Sequence, residues 1–476
     1  MKTLISSILQ INKKYKTKFF VVGGYIRDLL MGRTIQDMDF VLDVNPKDFA
    51  KEVADNIKGN FVELDRLNQV YRVFTPEGLI MDFSKMKGDT IEEDLYHRDF
   101  SINAMAYDLN NGWPIDEKLI IDWFDGRKDI EAQKIRHLKN SVFSEDPIRM
   151  LRAVRLMVQL KFNIDTRTIK LIQDNAPKIS LTAGERITEE LFKILKAENS
   201  YFYLNYMDET LQLLDKIFPD LVDMKEVGEC KYHVVDSWTH SIFTVKVAEG
   251  YINSEGFFEE HIRQVYEDHT SKVIAGNRTR LDLIKLGALF HDIGKPSARK
   301  IDETGRVRFR GHEITGAEIL KGYAEKLKLS VKERDILYRY VAYHMLPLDS
   351  YKKNDVSGKA LYEIFTKMGE ETLDILLIAL SDIVATRKLL VPEEEMGMFK
   401  VHIEYIANNY LTRYRPIENI QKIVTGRDIM EHLELPQGVL VGELLEEIKK
   451  AIFYGKISAT KEAALKYVKQ IYKEDI

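Results

Sequence analysis

Phe19-Phe20-Val21-Val22-Gly23-Gly24-Tyr25-Ile26-Arg27-Asp28, followed by Asp37-Met38-Asp39-Phe40-Val41-Leu42, is the stretch on which the reading of this chain turns. The apolar, β-branched and aromatic run reads as a strand entering a tight turn, where glycine tolerates dihedrals closed to other residues. Tyr25 to Met31 reads as a short helix closed by Gly32. A helix that starts after glycines offers unpaired backbone N–H groups and a positive dipole end to an anion, and Arg27 is within reach of phosphate oxygens. Asp37 to Leu42 reads as a second strand. Side chains alternate along a strand, so Asp37 and Asp39 share one face while Met38 and Phe40 point to the core. Adjacent carboxylates repel unless cations lie between them, and hard Mg²⁺ ions with substrate phosphates suit such a pair. Two such ions, roughly 3.5–4 Å apart, activate an attacking hydroxyl and steady a leaving pyrophosphate. Alone, Asp-x-Asp is more often a solvated acidic turn; Gly-Gly-x-x-Arg-Asp upstream reverses that preference.

These residues resemble the signature of the DNA polymerase beta superfamily of nucleotidyltransferases, in particular the class II bacterial tRNA nucleotidyltransferase/poly(A) polymerase family. Arg98-Asp99-Phe100-Ser101-Ile102-Asn103-Ala104-Met105-Ala106 is similar to that family's ribose-recognition motif, which implies sugar contacts for Asp99 and nucleotide contacts for Arg98 and Asn103. The family usually has two arginines there; this chain has His97-Arg98. Glu145-Asp146-Pro147-Ile148-Arg149-Met150-Leu151-Arg152 resembles its base-selecting helix, and Glu185-Arg186-Ile187-Thr188-Glu189-Glu190-Leu191 its later neck motif. With Pro147 in a first helical turn, Asp146, Arg149 and Arg152 fall on one helix face, whereas Arg155 lies opposite and suits packing or RNA contact. The resemblance implies that this face selects cytosine and adenine in place of a nucleic-acid template. Leu79-Ile80-Met81-Asp82-Phe83 reads as a further strand of the same sheet, with Asp82 a third carboxylate for the metal site.

A second constellation lies further along, where the pattern turns strongly helical. Phe290-His291-Asp292-Ile293-Gly294-Lys295-Pro296 carries the signature of HD-domain phosphohydrolases. Imidazole and carboxylate together hold transition metals that activate water for phosphoester cleavage. By resemblance His240, His291, Asp292 and Asp382 form one metal shell, and His312 and His344 complete a second, with Ni²⁺, Mn²⁺ or Co²⁺ as occupants. His233, His261 and His269 match no motif and read as surface or core residues. Asn277 to Arg280 reads as a surface loop or helix extension.

At 476 residues the chain is too long for one core. The fold expected is α+β: a small mixed α/β nucleotidyltransferase head over residues 1–135, a helical neck over 136–225, an HD domain over 226–390 and a helical tail over 391–476. Its 45% hydrophobic and 30% charged content is that of a soluble globular protein. There is no run of 18 apolar residues and no signal-like N-terminus, which points to the cytoplasm and away from membranes. One cysteine, Cys230, excludes an intrachain disulfide. The net charge of -5 hides a local surplus, since Arg127 to Lys170 holds 11 Lys plus Arg against 5 Asp plus Glu. An acceptor RNA end belongs there, because phosphate contacts supply most of the affinity. The function expected is addition of CMP and/or AMP, from CTP and ATP, to a tRNA 3′ end with Mg²⁺. The link from Phe83 to Asp94 is short, which resembles relatives that add only CC or only the terminal A and also some poly(A) polymerases, and some full CCA enzymes share a short link. The alternatives are a poly(A) polymerase, and an HD phosphohydrolase acting on RNA ends whose head only binds RNA.

Overall fold

The head is organised by its aromatic strands. In the computed structural model, which describes residues 2–34, 37–227, 235–253, 260–390 and 393–474, six strands form one mixed sheet. These are β1 (Phe19–Val22), β2 (Asp37–Leu42), β3 (Asn60–Asp65), β4 (Val70–Phe74), β5 (Ile80–Lys85) and β6 (Ala106–Asp108), in the order β3-β4-β5-β2-β1-β6. Only β2 and β5 run parallel. Alternation divides the sheet into two faces. On one, Phe19, Phe40 and Phe83 stack at centroid distances of 5.1 and 5.0 Å and pack with Phe49 of helix α3 (Pro46–Ile57) and with Ile5 and Ile8 of helix α1 (Lys2–Tyr15). On the other, Phe20, Val22 and Val41 form a smaller core with Ile91 and Leu95 of helix α4 (Ile91–Tyr96). Asp37 and Asp39 stand on this second face, and helix α2 (Gly24–Leu30) leaves β1 through the Gly23 turn.

The chain divides into two units: residues 1–194 with 206–217, and residues 195–205 with 218–476. In the first, the head is followed by helix α5 (Arg149–Leu160), whose buried stripe of Met150, Leu151, Val154 and Met157 explains why it forms, and by helix α6 (Gly184–Leu195). The second is almost all helix. Its centre holds α7 (Ser237–Asn253), α8 (Arg280–Phe290), α9 (His312–Lys326), α10 (Val331–Tyr343) and α11 (Thr372–Leu390). From Asp282 to Phe290 every residue of α8 is buried, as an apolar helix surrounded by others must be. Helices Gly426–Leu433, Val439–Phe453 and Lys461–Glu474 share a core of their own around Ile429, Leu444, Ile448 and Val468. Cys230 and His233 fall outside the described residues, as does the side chain of His261.

Asn277–Arg280, expected to be a surface loop or a helix extension, is neither a free surface loop nor wholly helical: Thr279 caps α8, which Arg280 begins. Arg278 is bidentate to Glu333, whose side chain is fully buried, at 2.5 and 2.9 Å. Arg280 is itself buried and reaches Asp374 at 2.7 Å. Buried carboxylates require partners, and these two arginines supply them.

Candidate functional site

Asp37 and Asp39 project from β2, and the parallel register sets Asp82 of β5 directly beside Asp39. Three carboxylates therefore crowd one face of the sheet, as the sequence pattern implied. Burial is the main cause that raises Asp39 above the usual carboxylate range; Arg98 opposes it, while Asp82 and Asp37 add to it. Asp37 is raised too, by burial first, with Arg72 opposing. Gathered carboxylates that resist sharing their charge are a fit for divalent cations. Gly23 closes this corner with φ +72°, and a Cβ there would stand 2.9 Å from Arg98 Nη1 and 3.4 Å from Asp39 Oδ2.

A chain of polar contacts runs outward from the turn. Arg27 does not extend freely: it donates to both carboxylate oxygens of Asp28, each at 2.9 Å, and through Nη1 to Asn103 Oδ1 at 2.6 Å. Asn103 Nδ2 in turn donates to Asp99 Oδ1 at 3.1 Å, and Asp99 meets Arg152 of α5 at 2.8 Å. Burial alone would raise Asp99, but Arg152, Asn103 and Arg149 hold it below its usual range. The ribose-motif residues are thereby tied to the base-selecting segment. Arg98 stays beside the carboxylates and pairs with Asp94 at 3.3 Å.

Asp146 differs from its expected place on the helix. The residue before a proline is disfavoured in the α region, and Asp146 is extended (φ −148°, ψ 95°), with α5 starting only at Arg149. Arg186 of α6 fixes its orientation through hydrogen bonds of 2.9 and 2.8 Å, and Arg149 Nε lies 3.9 Å away. Arg155 packs rather than points outward, meeting Glu190 at 2.6 Å. Arg186 stood in a quoted motif without a role. Arg72, which grips Asp82 from β4 at 2.7 Å on both oxygens, was missed altogether. Its signal was the hairpin after Phe74, which sets Arg72 opposite Asp82.

In the second unit all six expected ligands converge. His240 comes from α7, His291 and Asp292 from the end of α8, His312 from the start of α9, His344 from the end of α10 and Asp382 from α11. They form two triads, His240–His291–Asp382 and Asp292–His312–His344, each with ligand atoms within 4.8 Å of one another. Asp292 bridges them, with Oδ2 3.2 Å from His291 Nε2 and Oδ1 3.2 Å from His312 Nε2. The Nδ1 atoms of His291, His312 and His344 contact the carbonyls of Ala288, Phe309 and Val341 at 2.7–2.8 Å. A carbonyl only accepts, so Nδ1 carries the hydrogen and Nε2 faces inward as a ligand. Burial opposes charge on His291, yet the Asp292 and Asp382 carboxylates raise it to about 10, while burial and neighbouring imidazoles lower His344 to about 3. This donor set fits a pair of divalent metals. Gly294 allows the turn after His-Asp to press on α9: a Cβ there would meet His312 O at 2.1 Å and Gly316 N at 2.5 Å. His269 proves to be a core residue, 2.8 Å from Asp374.

Residues 19–136 match the poly A polymerase head domain, 161–224 the model for an RNA- and SrmB-binding site of polymerase A, 237–387 the HD domain and 389–468 tRNA nucleotidyltransferase domain 2. The CCA-adding enzyme of Lactobacillus helveticus is 30% identical over 59% of this chain and 76% of its own length. The chain belongs to the class II bacterial tRNA nucleotidyltransferase/poly(A) polymerase family, with an HD domain. The CC-adding tRNA nucleotidyltransferase of Thermus thermophilus is 27% identical to this family member over 93% of the chain and 92% of its own length. The A-adding enzyme of Deinococcus radiodurans is 25% identical over 93% of each. The Thermotoga maritima CCA-adding enzyme complexed with tRNA has the same fold, with a TM-score of 0.61 at 22% identity over 99% of this chain and 95% of that one. Both the head and the HD domain of this nucleotidyltransferase are of divalent-metal-using types.

Proposed function

We propose that this enzyme adds cytidylate, adenylate or both to the 3′ end of tRNA, taking CTP and ATP as donors, in the cytoplasm. The observation that carries the reading is the row of Asp37, Asp39 and Asp82 on one sheet face beside the Gly23 turn and Arg98. Asp37 and Asp39, with Asp82 beside them, would hold Mg²⁺, which when bound lowers the barrier by activating the primer hydroxyl and neutralising the phosphates. Gly23, Gly24 and Arg27 shape the triphosphate's seat. Asp99 faces the nucleotide's sugar, Arg98 and Asn103 contact the nucleotide, and Asp146, Arg149 and Arg152 read the base edge by donor and acceptor hydrogen bonds. Asp39→Ala should abolish labelled-nucleotide incorporation while tRNA binding by filter retention persists; retained incorporation would sink the assignment.

Partial-end addition, CC or terminal A, is the specificity we favour. Between β5 and α4 the link is only Met86 to Thr90, and it is braced: Lys87 N donates to Asp94 Oδ1 at 3.0 Å and Thr90 caps α4 in a reciprocal box with Glu93. Such a link has little freedom to re-form around successive nucleotides. The six converged ligands of the HD domain support a second activity, removal of phosphate or a 2′,3′-cyclic phosphate from RNA ends with Ni²⁺, Mn²⁺ or Co²⁺. Failure to release phosphate from cyclic and linear substrates with any of these ions, or with Mg²⁺, would refute it.

A further inference from the structure

We propose that Arg72 is a positioning residue of the transfer site, holding the third carboxylate, Asp82, in place beside Asp39 for metal-bound nucleotide. The inference rests on the reading of the head as the site of nucleotidyl transfer.

The geometry is a cross-strand row. Arg72 of β4 lies opposite Asp82 of β5, which lies beside Asp39 of β2. The guanidinium fork engages both carboxylate oxygens, Nε to Oδ1 and Nη2 to Oδ2, each at 2.7 Å. A two-point contact of this kind fixes the plane as well as the position of a carboxylate, which a lysine cannot do. Each oxygen keeps a further acceptor direction for a cation. Without the fork, Asp82 would face Asp39 across a strand spacing of about 4.8 Å and swing away from its like charge. Arg72 is thus a fixed cation that keeps three carboxylates assembled. The pair is partly exposed, with side chains 30% and 22% accessible, so it contributes little to folding stability. A purely structural role would therefore leave the metal dependence of nucleotide binding unmoved.

The test uses the full chain and equilibrium dialysis of labelled CTP and ATP without RNA, over a Mg²⁺ series, alongside incorporation into tRNA and the unfolding midpoint. Arg72→Leu should raise the Mg²⁺ needed for half-maximal nucleotide binding, and lower incorporation, by roughly 10–100-fold. Arg72→Lys should fall between, and Arg72→Leu in an Asp82→Asn background should add nothing to Asp82→Asn alone. An unchanged Mg²⁺ requirement in Arg72→Leu, or losses that multiply in the double variant, would overturn the proposal. Should Arg72→Leu fail to fold, Arg72→Lys carries the same comparison. Asp39→Ala separates the two levels: if it leaves Mg²⁺-dependent nucleotide binding and incorporation intact, the reading of the head fails. If it abolishes them and Arg72→Leu does not, only the role of Arg72 fails.

Discussion

Gly23 shows how narrow the tolerance is at a single residue. Its backbone sits at φ 72°, ψ −133°, a region nearly reserved for glycine, and a side chain would enter the space between Arg98 and Asp39. Gly23→Ala should cost on the order of 1–3 kcal/mol of strain. Because it also displaces Arg98 and Asp39, incorporation should fall by about 10²-fold, more than the loss of stability explains. Calorimetry beside a steady-state assay separates the two. Asp37, Asp39 and Gly23 were legible in the sequence because a strand's alternation and a glycine turn are local signals. Arg72 and the Arg186–Asp146 pair were not: Arg72 meets Asp82 only once the hairpin after Phe74 fixes the β4–β5 register, and Arg186 lies 40 positions from Asp146, a separation that periodicity does not bridge.

The helices of the HD domain are joined by a buried charge cluster. Asp374 of α11 is fully buried and meets Arg280 of α8 at 2.7 Å, His269 at 2.8 Å and Tyr340 of α10 at 2.7 Å. Burial alone would raise its pKa, but His269, Arg280 and Tyr340 outweigh that and hold it below the usual carboxylate range. A depressed folded value means that the folded state binds fewer protons. The contribution is therefore complete above the unfolded pKa of about 3.9 and is lost as pH falls through the lower folded value. Asp374→Asn should destabilise by about 3–5 kcal/mol at pH 7, since it strips buried Arg280 of its 2.7 Å partner and leaves only the longer contacts to Glu371 and Glu370 at 3.6 and 3.7 Å, and the gap to wild type should narrow in acid. Thermal melts from pH 7 to pH 3 check both parts. At the turn after His291-Asp292, Gly294→Ala should push α9 away and lower the Mn²⁺ or Ni²⁺ bound per chain, read by elemental analysis; undiminished metal content would contradict the close-approach argument. The His-Asp motif announced this site, but the burial of Arg280 was not readable from the surface-loop alternative, because a charged run in an isolated sequence is usually exposed.

Over the whole molecule, the charge count and the charge geometry part company. At least seven of the eleven cations between Arg127 and Lys170 lie within 4 Å of a carboxylate: Lys128, Arg136, Lys139, Arg149, Arg152, Arg155 and Lys170. The salt dependence of tRNA binding should accordingly be shallow. At about 0.7 per single-strand phosphate contact, the log–log slope should fall well short of what eleven contacts would give. The α+β class and the helical character beyond the head were readable from hydrophobic period and strand-like runs. Among the described residues no helix is long and apolar enough to cross a membrane. The partial-end specificity proposed above rests on the short, braced link from Met86 to Thr90. The most direct test is therefore incorporation of labelled CTP and ATP, singly and together, into tRNA transcripts lacking CCA, lacking only the terminal A, or complete. Wild type should extend an incomplete transcript by one or two residues and leave the complete one unchanged, whereas Asp39→Ala should extend none. Long A tails on any RNA, or no incorporation by the wild type, would contradict the proposed function.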